Sequence, residues 1–160
     1  MKCNKMMSDI LNSSKYKNNN EILTIESKEL LNLFNKKFQN IHDCIIMSEE
    51  LYDASEEKIK SIVECFEDRT GFEHSDSETR VNDYIENEIS AETAISLSLL
   101  LIDFWGYRLK ELDSESQFAF ILSLDGMYTT LFFHKLREHN LPMIDDDLDG
   151  YNQPVYYVVK

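Results

Sequence analysis

Glycine is scarce in this 160-residue chain: Gly71, Gly106, Gly126 and Gly150 are the only four. They form no G-x-G-x-x-G, P-loop or G-x-S-x-G spacing. A phosphate cradle needs clustered glycines so that backbone N–H groups can approach the ligand, so none is expected here. Cysteine is equally sparse. Cys3, Cys44 and Cys65 are odd in number and show no C-x-x-C spacing, which argues for reduced thiols rather than a disulfide framework or a zinc centre. His42, His74, His134 and His139 are scattered and include no H-E-x-x-H. Lys2 and Lys5 are not followed by an apolar segment of about 7–15 residues, so no secretory signal is expected. In the most apolar stretch the unbroken run is only Leu99–Ile102, far short of the roughly 20 residues a membrane span needs. A cytoplasmic protein without a cofactor is the expectation.

Positive charge is also in deficit. There are 16 Lys plus Arg against 30 Asp plus Glu, a net charge of −14. Such a surface repels nucleic acid and anionic membranes and steers basic partners toward it. Residues 1–20 carry four Lys and one Asp, so all the acidic excess lies beyond them. His42–Glu92 is the densest part, with 16 acids and four bases.

What is present is concentrated in Ala91–Arg137. Ser90 is placed to cap a helix by accepting from first-turn N–H groups, with Glu92 favoured at the positive helix end. Ala94, Ile95, Leu97, Leu99 to Ile102, Phe104 and Trp105 leave almost no polar face, which predicts burial on most sides. Asp125-Gly126 is the preferred pair for a type I′ hairpin turn. With that register Leu124 faces Met127, Leu122 faces Thr129, Phe120 faces Leu131 and Phe118 faces Phe133, all on one side. His134 then lies on the mixed opposite face, across from Gln117.

Elsewhere the patterns are shorter. Residues 1–20 read as a flexible N-terminal arm and residues 21–160 as one α+β domain. Leu30, Leu31, Phe34 and Phe38 predict a helix over Ile25–Asn40, capped by Thr24 or Ser27. Ile41–Asp53 reads as a turn and a short helix. Ser55 caps a helix through Ile59, Ile62, Val63 and Phe66, with Gly71 as its stop. His74–Ser77 reads as a loop. Val81, Tyr84, Ile85 and Ile89 predict a further helix capped from Asp76 or Ser77. After the break at Pro142, Val155–Val159 reads as a strand led by Pro154. The expected fold is α+β: N-terminal helices, a long buried helix, then a small antiparallel sheet of a hairpin plus a final strand.

No catalytic residue is assigned and no enzyme is expected. Asp145-x-Asp147-x-Asp149-Gly150 matches the first half of a calcium loop. Tyr156 stands where the bidentate Glu belongs and Pro154 sits at the tenth position, so no metal is expected. The candidate partner-binding residues are two acidic sets. One is Glu49, Glu50, Asp53, Glu56 and Glu57; the other is Asp145, Asp146, Asp147 and Asp149. The second set is favoured, because loops on a rigid sheet commonly carry recognition.

The C-terminal order carries a resemblance. An apolar helix ending in W-G-Y-R-L leads into F-A-F-I-L-S-L-D-G, then T-T-L-F-F-H-K-L-R, D-D-D-L-D-G and V-Y-Y-V-V. Over Ser90–Val159 this resembles immunity proteins of bacterial polymorphic toxin systems, including contact-dependent growth inhibition. The resemblance implies a small cytosolic protein that binds the C-terminal toxin domain of its cognate toxin, commonly a basic nuclease, and blocks its active site or substrate groove. The alternative is an acidic nucleic-acid mimic or regulatory adaptor that binds another basic protein. A small enzyme would instead show a cleft holding a carboxylate or histidine with a strongly shifted pKa.

Overall fold

The structure is a computed structural model that describes residues 1–17, 28–140 and 143–160. In chain order its elements are β1 (Lys2–Cys3), α1 (Lys5–Asn12), α2 (Ser14–Lys17), α3 (Lys28–Phe34), β2 (Gln39–Ile41), β3 (Cys44–Ile46), α4 (Glu56–Cys65), α5 (Arg69–Asp76), β4 (Thr79–Arg80), α6 (Ala91–Leu112), β5 (Phe118–Asp125), β6 (Tyr128–Lys135) and β7 (Val155–Val159). Short 3-10 turns occupy Glu49–Leu51, Val81–Tyr84 and Leu148–Gly150. The fold is α+β. One antiparallel sheet has the order β1-β7-β5-β6-β4, and β2 and β3 form a separate ribbon.

Helix α6 organises the rest. Ser90 Oγ accepts from Thr93 N at 3.2 Å, as the sequence predicts for a cap. Leu97, Leu101, Trp105 and Leu109 face the sheet and meet Phe118, Phe120, Leu122, Leu131 and Phe133 in one core. Trp105 packs edge-on to Phe38 and Phe133, and its indole N–H donates to the Leu33 carbonyl at 3.2 Å. The prediction of burial on most sides fails on one stripe: Leu100, Phe104 and Tyr107 remain exposed.

The hairpin forms, but two residues out of the expected register. Asp125 pairs with Tyr128, so the turn is Gly126-Met127; Leu124 faces Thr129, Leu122 faces Leu131 and Phe120 faces Phe133. Only Gly126 of this pair has positive φ (62°), the pattern of a type II′ turn, which places Gly first. Moving the turn by one residue shifts the partner strand by two, so the side chains keep their faces. His134 accordingly faces Ala119 and not Gln117. Replacing Gly126 by valine forces a β-branched residue to positive φ and should cost about 1–2 kcal/mol. Nothing lies within 4 Å of the added Cβ, so the loss is strain alone. An unchanged melting temperature would contradict this turn.

Several predicted boundaries are corrected. Residues 2–12 are not a loose arm. β1 pairs with β7, Met7 of α1 lies in the main core, and Asn4 fastens both. Its Oδ1 accepts from Met7 N at 3.0 Å and from Val155 N at 3.1 Å, while Nδ2 donates to the Gln153 carbonyl at 2.7 Å. Asn18–Asn20, Thr24, Ser27 and Pro142 lie outside the described residues. Helix α3 stops at Phe34, and the run Cys44-Ile45-Ile46 is a strand, not a helix. Its β2–β3 turn is His42-Asp43, with positive φ at both residues. Gly71 does not end α4; the chain turns at Phe66 and Glu67, and Gly71 and His74 lie inside α5. The predicted helix over Val81–Ile89 is instead a 3-10 turn at Val81–Tyr84, directly after β4, followed by irregular chain up to α6.

Candidate functional site

The first acidic set is built by a turn and a helix start. After β3 the backbone N–H groups of Met47 and Ser48 donate to Asp76 Oδ2 at 2.6 and 3.2 Å, which ties this segment to the end of α5. The chain then makes the Glu49–Leu51 turn and enters α4, where Ser55 Oγ accepts from Lys58 N at 3.3 Å. Glu49, Glu50, Asp53, Glu56 and Glu57 are all exposed. Among the described residues none of the five is in an ion pair with Lys, Arg or His. Glu56 and Glu57 occupy the first turn of α4, where negative charge suits the helix end. A backbone N–H and the Ser55 hydroxyl hold the Glu57 carboxyl below its usual range. Glu56 also lines a groove of about 430 Å³ with Ile59, Lys60, Val63 and Arg69.

The second set is spent differently. Asp149 Oδ1 accepts from the backbone N–H of Lys5 at 2.7 Å, at the start of α1. Asp147 Oδ1 accepts from Asp149 N at 3.2 Å, and Asp146 faces Lys2 Nζ at 3.5 Å. The Asp145 N–H donates to the Tyr151 hydroxyl at 3.0 Å. Asp149 and Asp146 therefore fasten the late loop to the N-terminal segment, while Asp147 bonds within the loop, and the set does not converge on one point. Among the described residues no group of three or more His, Cys, Asp or Glu is placed to hold a metal ion. The two acidic sets are held by different elements, one by α5 and one by β1 and α1, and among the described residues no hydrogen bond or ion pair links them.

The most heavily bonded carboxylate belongs to neither set. Glu73 in α5 is 0% exposed. It accepts from Ile45 N at 2.7 Å, from Lys135 N at 2.8 Å, and from both Arg137 terminal nitrogens at 2.9 and 2.6 Å. Arg137 also donates to the Asp43 carbonyl, and Lys135 pairs with Asp43 at 2.8 Å and Asp113 at 2.9 Å. Burial pushes the Glu73 carboxyl up against the pull of Arg137. This centre joins the β2–β3 ribbon, α5 and the end of β6. Sequence reasoning passed over it because its members are up to 94 residues apart and carry no local spacing.

His134 is the one histidine with a large shift, down to about 4 through burial, with His74 and Arg137 adding like charge. It is 3% exposed and lines a cavity of about 140 Å³ beneath the late loop, beside Leu136 and Leu148. The cause of the shift is desolvation, no serine, threonine or cysteine is among the residues lining that cavity, and a base of pKa about 4 is poorly matched to neutral pH. Cys44 is likewise buried, and burial raises its thiol to about 11, which makes it inert as a nucleophile. Among the described residues no helix is long and apolar enough to cross a membrane.

The fold thus defines an α+β protein whose ionisable core groups hold elements together and which presents five exposed carboxylates on one turn and helix start, none in an ion pair among the described residues. The chain belongs to the Uncharacterized protein PM0498 family, whose model matches residues 2–159. No curated protein and no solved structure matches it.

Proposed function

We propose that this protein is an immunity-type inhibitor that acts in the cytoplasm by binding, without catalysis and without a cofactor. Its partner is the C-terminal domain of a cognate toxin with a basic, nuclease-like active surface. The observation that carries this reading is Glu49–Glu57, where five exposed carboxylates have no ion-pair partner among the described residues. Unpaired charge is available to a cationic partner and raises the rate of encounter, whereas short-range packing sets dissociation. The Asp145–Asp149 set is the weaker candidate, because three of its four side chains already serve the chain itself.

The test uses two variants. In one, Glu49, Glu50, Asp53, Glu56 and Glu57 become Gln or Asn; in the other, Asp145, Asp146, Asp147 and Asp149 become Asn. The first should lower the rate of association with a basic toxin domain against which this protein protects by about 10-fold and weaken protection of cells expressing it. The second should affect association less. Full protection and unchanged association in the first variant would show that these carboxylates only solubilise. Co-purification with a host DNA-binding protein instead of the toxin would favour the nucleic-acid mimic.

A further inference from the structure

The sheet face turned away from α6 is covered in two pieces. Strand alternation puts Ala119, Ile121, Phe132, His134 and Tyr157 on that face, with Ala119 opposite His134 and Ile121 between Phe132 and Tyr157. Helix α5 covers one part, where His74 stacks on Phe132 with ring centroids 4.3 Å apart. The late loop covers another. Beneath it lies the cavity of about 140 Å³ that His134 and Tyr157 line from the sheet. Leu136, Met143, Ile144 and Leu148 give it apolar walls. Lys2 and Asp146, paired at 3.5 Å and both largely exposed, mark its mouth.

The cavity has an unsatisfied anchor. His134 is 3% exposed, and among the described residues its buried Nδ1 has no hydrogen-bond partner. A buried polar atom left so is costly unless a molecule in the adjoining space bonds to it. Water alone is a poor occupant, because a buried water needs about two to four polar partners and most of these walls are apolar. Size and charge narrow the alternatives. An apolar-walled cavity of about 150 Å³ holds one benzene-sized molecule. Asp145 and Asp146 at the rim repel an anion. A cation would lose its hydration and find no buried counter-charge, since burial keeps the His134 imidazole neutral at pH 7 and the walls carry no charge. We propose that the cavity beneath the late loop is a binding site for an uncharged, benzene-sized molecule with one hydroxyl or N–H group, which packs between Leu136, Ile144 and Leu148 and donates to the His134 imidazole. The site does not depend on the inhibitor reading, because none of its lining residues belongs to the Glu49–Glu57 surface.

The probe is phenol, with benzene and benzoate as comparators, titrated at pH 7 into the full chain labelled with nitrogen-15 histidine and followed by NMR. Phenol should shift the ring signals of His134 and leave those of the exposed His42 and His139 in place. Benzene has the size but no donor, and should bind at least about 5-fold more weakly. Benzoate should not bind. Ile144→Trp fills the cavity from the loop side and should abolish the phenol shift; Ile144 is only half-buried, and circular dichroism checks the fold of the variant. His134 signals that do not respond to millimolar phenol overturn the site, and a cavity that holds only water gives that result. Benzene or benzoate binding as tightly as phenol overturns it as well, as does an unchanged phenol shift in Ile144→Trp. The comparison of the three ligands needs no variant and decides the question even where Ile144→Trp fails to fold.

Discussion

Replacing Glu73 by alanine is expected to lower stability by about 3–5 kcal/mol, because removing one member of a buried ion pair leaves the other charge uncompensated. Here Arg137 would lose both of its bonds to the carboxylate. Two further donors are stranded at the same time, the backbone N–H groups of Ile45 and Lys135. Each buried donor left without an acceptor costs about 1–3 kcal/mol. For that reason the double substitution Glu73→Leu/Arg137→Leu should not recover stability, although an apolar replacement of a buried ion pair often does elsewhere. Urea unfolding gives the measurement: the midpoint should fall with the slope unchanged. A loss below about 1 kcal/mol for Glu73→Ala would mean that this centre is not what joins the ribbon, α5 and the sheet.

The second large effect is a pH dependence. In the folded chain burial holds His134 down at about 4, against 6.5 for the free side chain. The unfolded state therefore binds the proton more readily, and this histidine makes folding less favourable as pH falls through 6.5, with the loss complete near 4. Between pH 7 and pH 5 the cost is about 2 kcal/mol, and the full shift corresponds to about 3 kcal/mol. His74, whose ring lies 6.1 Å from that of His134 and is also held down by burial, adds in the same direction. Glu73, whose carboxyl is pushed up by burial, acts in the opposite direction as pH falls, and it is common to both proteins compared below. His134→Phe keeps a flat buried ring beside Leu136 and Leu148 and removes the proton. Its urea midpoint should fall less than that of wild type between pH 7 and pH 5 by an amount equivalent to about 2 kcal/mol. Parallel pH profiles for the two proteins would contradict the assignment.

Strongly periodic elements were legible in the sequence, and elements held by distant partners were not. The α6 cap at Ser90, the α4 cap at Ser55, the strand faces of β5 and β6 and the final strand all follow from local chemistry. The hairpin register slipped because Asp125-Gly126 and Gly126-Met127 both satisfy the alternation, and only the backbone at Gly126 separates them. Cys44-Ile45-Ile46 is too short to distinguish strand from helix by period, and it becomes a strand because Glu73, 28 residues later, accepts from Ile45 N. The N-terminal segment looked unstructured since its anchor, Asn4, is a polar residue bonded to Val155 and Gln153 at the other end of the chain. Among the candidate residues, composition located the carboxylates. It could not show that Asp146, Asp147 and Asp149 are occupied within the chain while the Glu49–Glu57 set is unpaired.

The central claim is that the Glu49–Glu57 carboxylates capture a basic toxin domain. The most direct measurement is the rate of association with a purified basic toxin domain against which this protein protects cells, followed from low to physiological salt for wild type and for the five-fold neutralised variant. Wild type should slow steeply as salt rises while dissociation changes little, because steering acts through screened charges and dissociation through short-range contacts. The variant should start slower and lose most of that salt dependence. Identical salt profiles for the two proteins would contradict the claim.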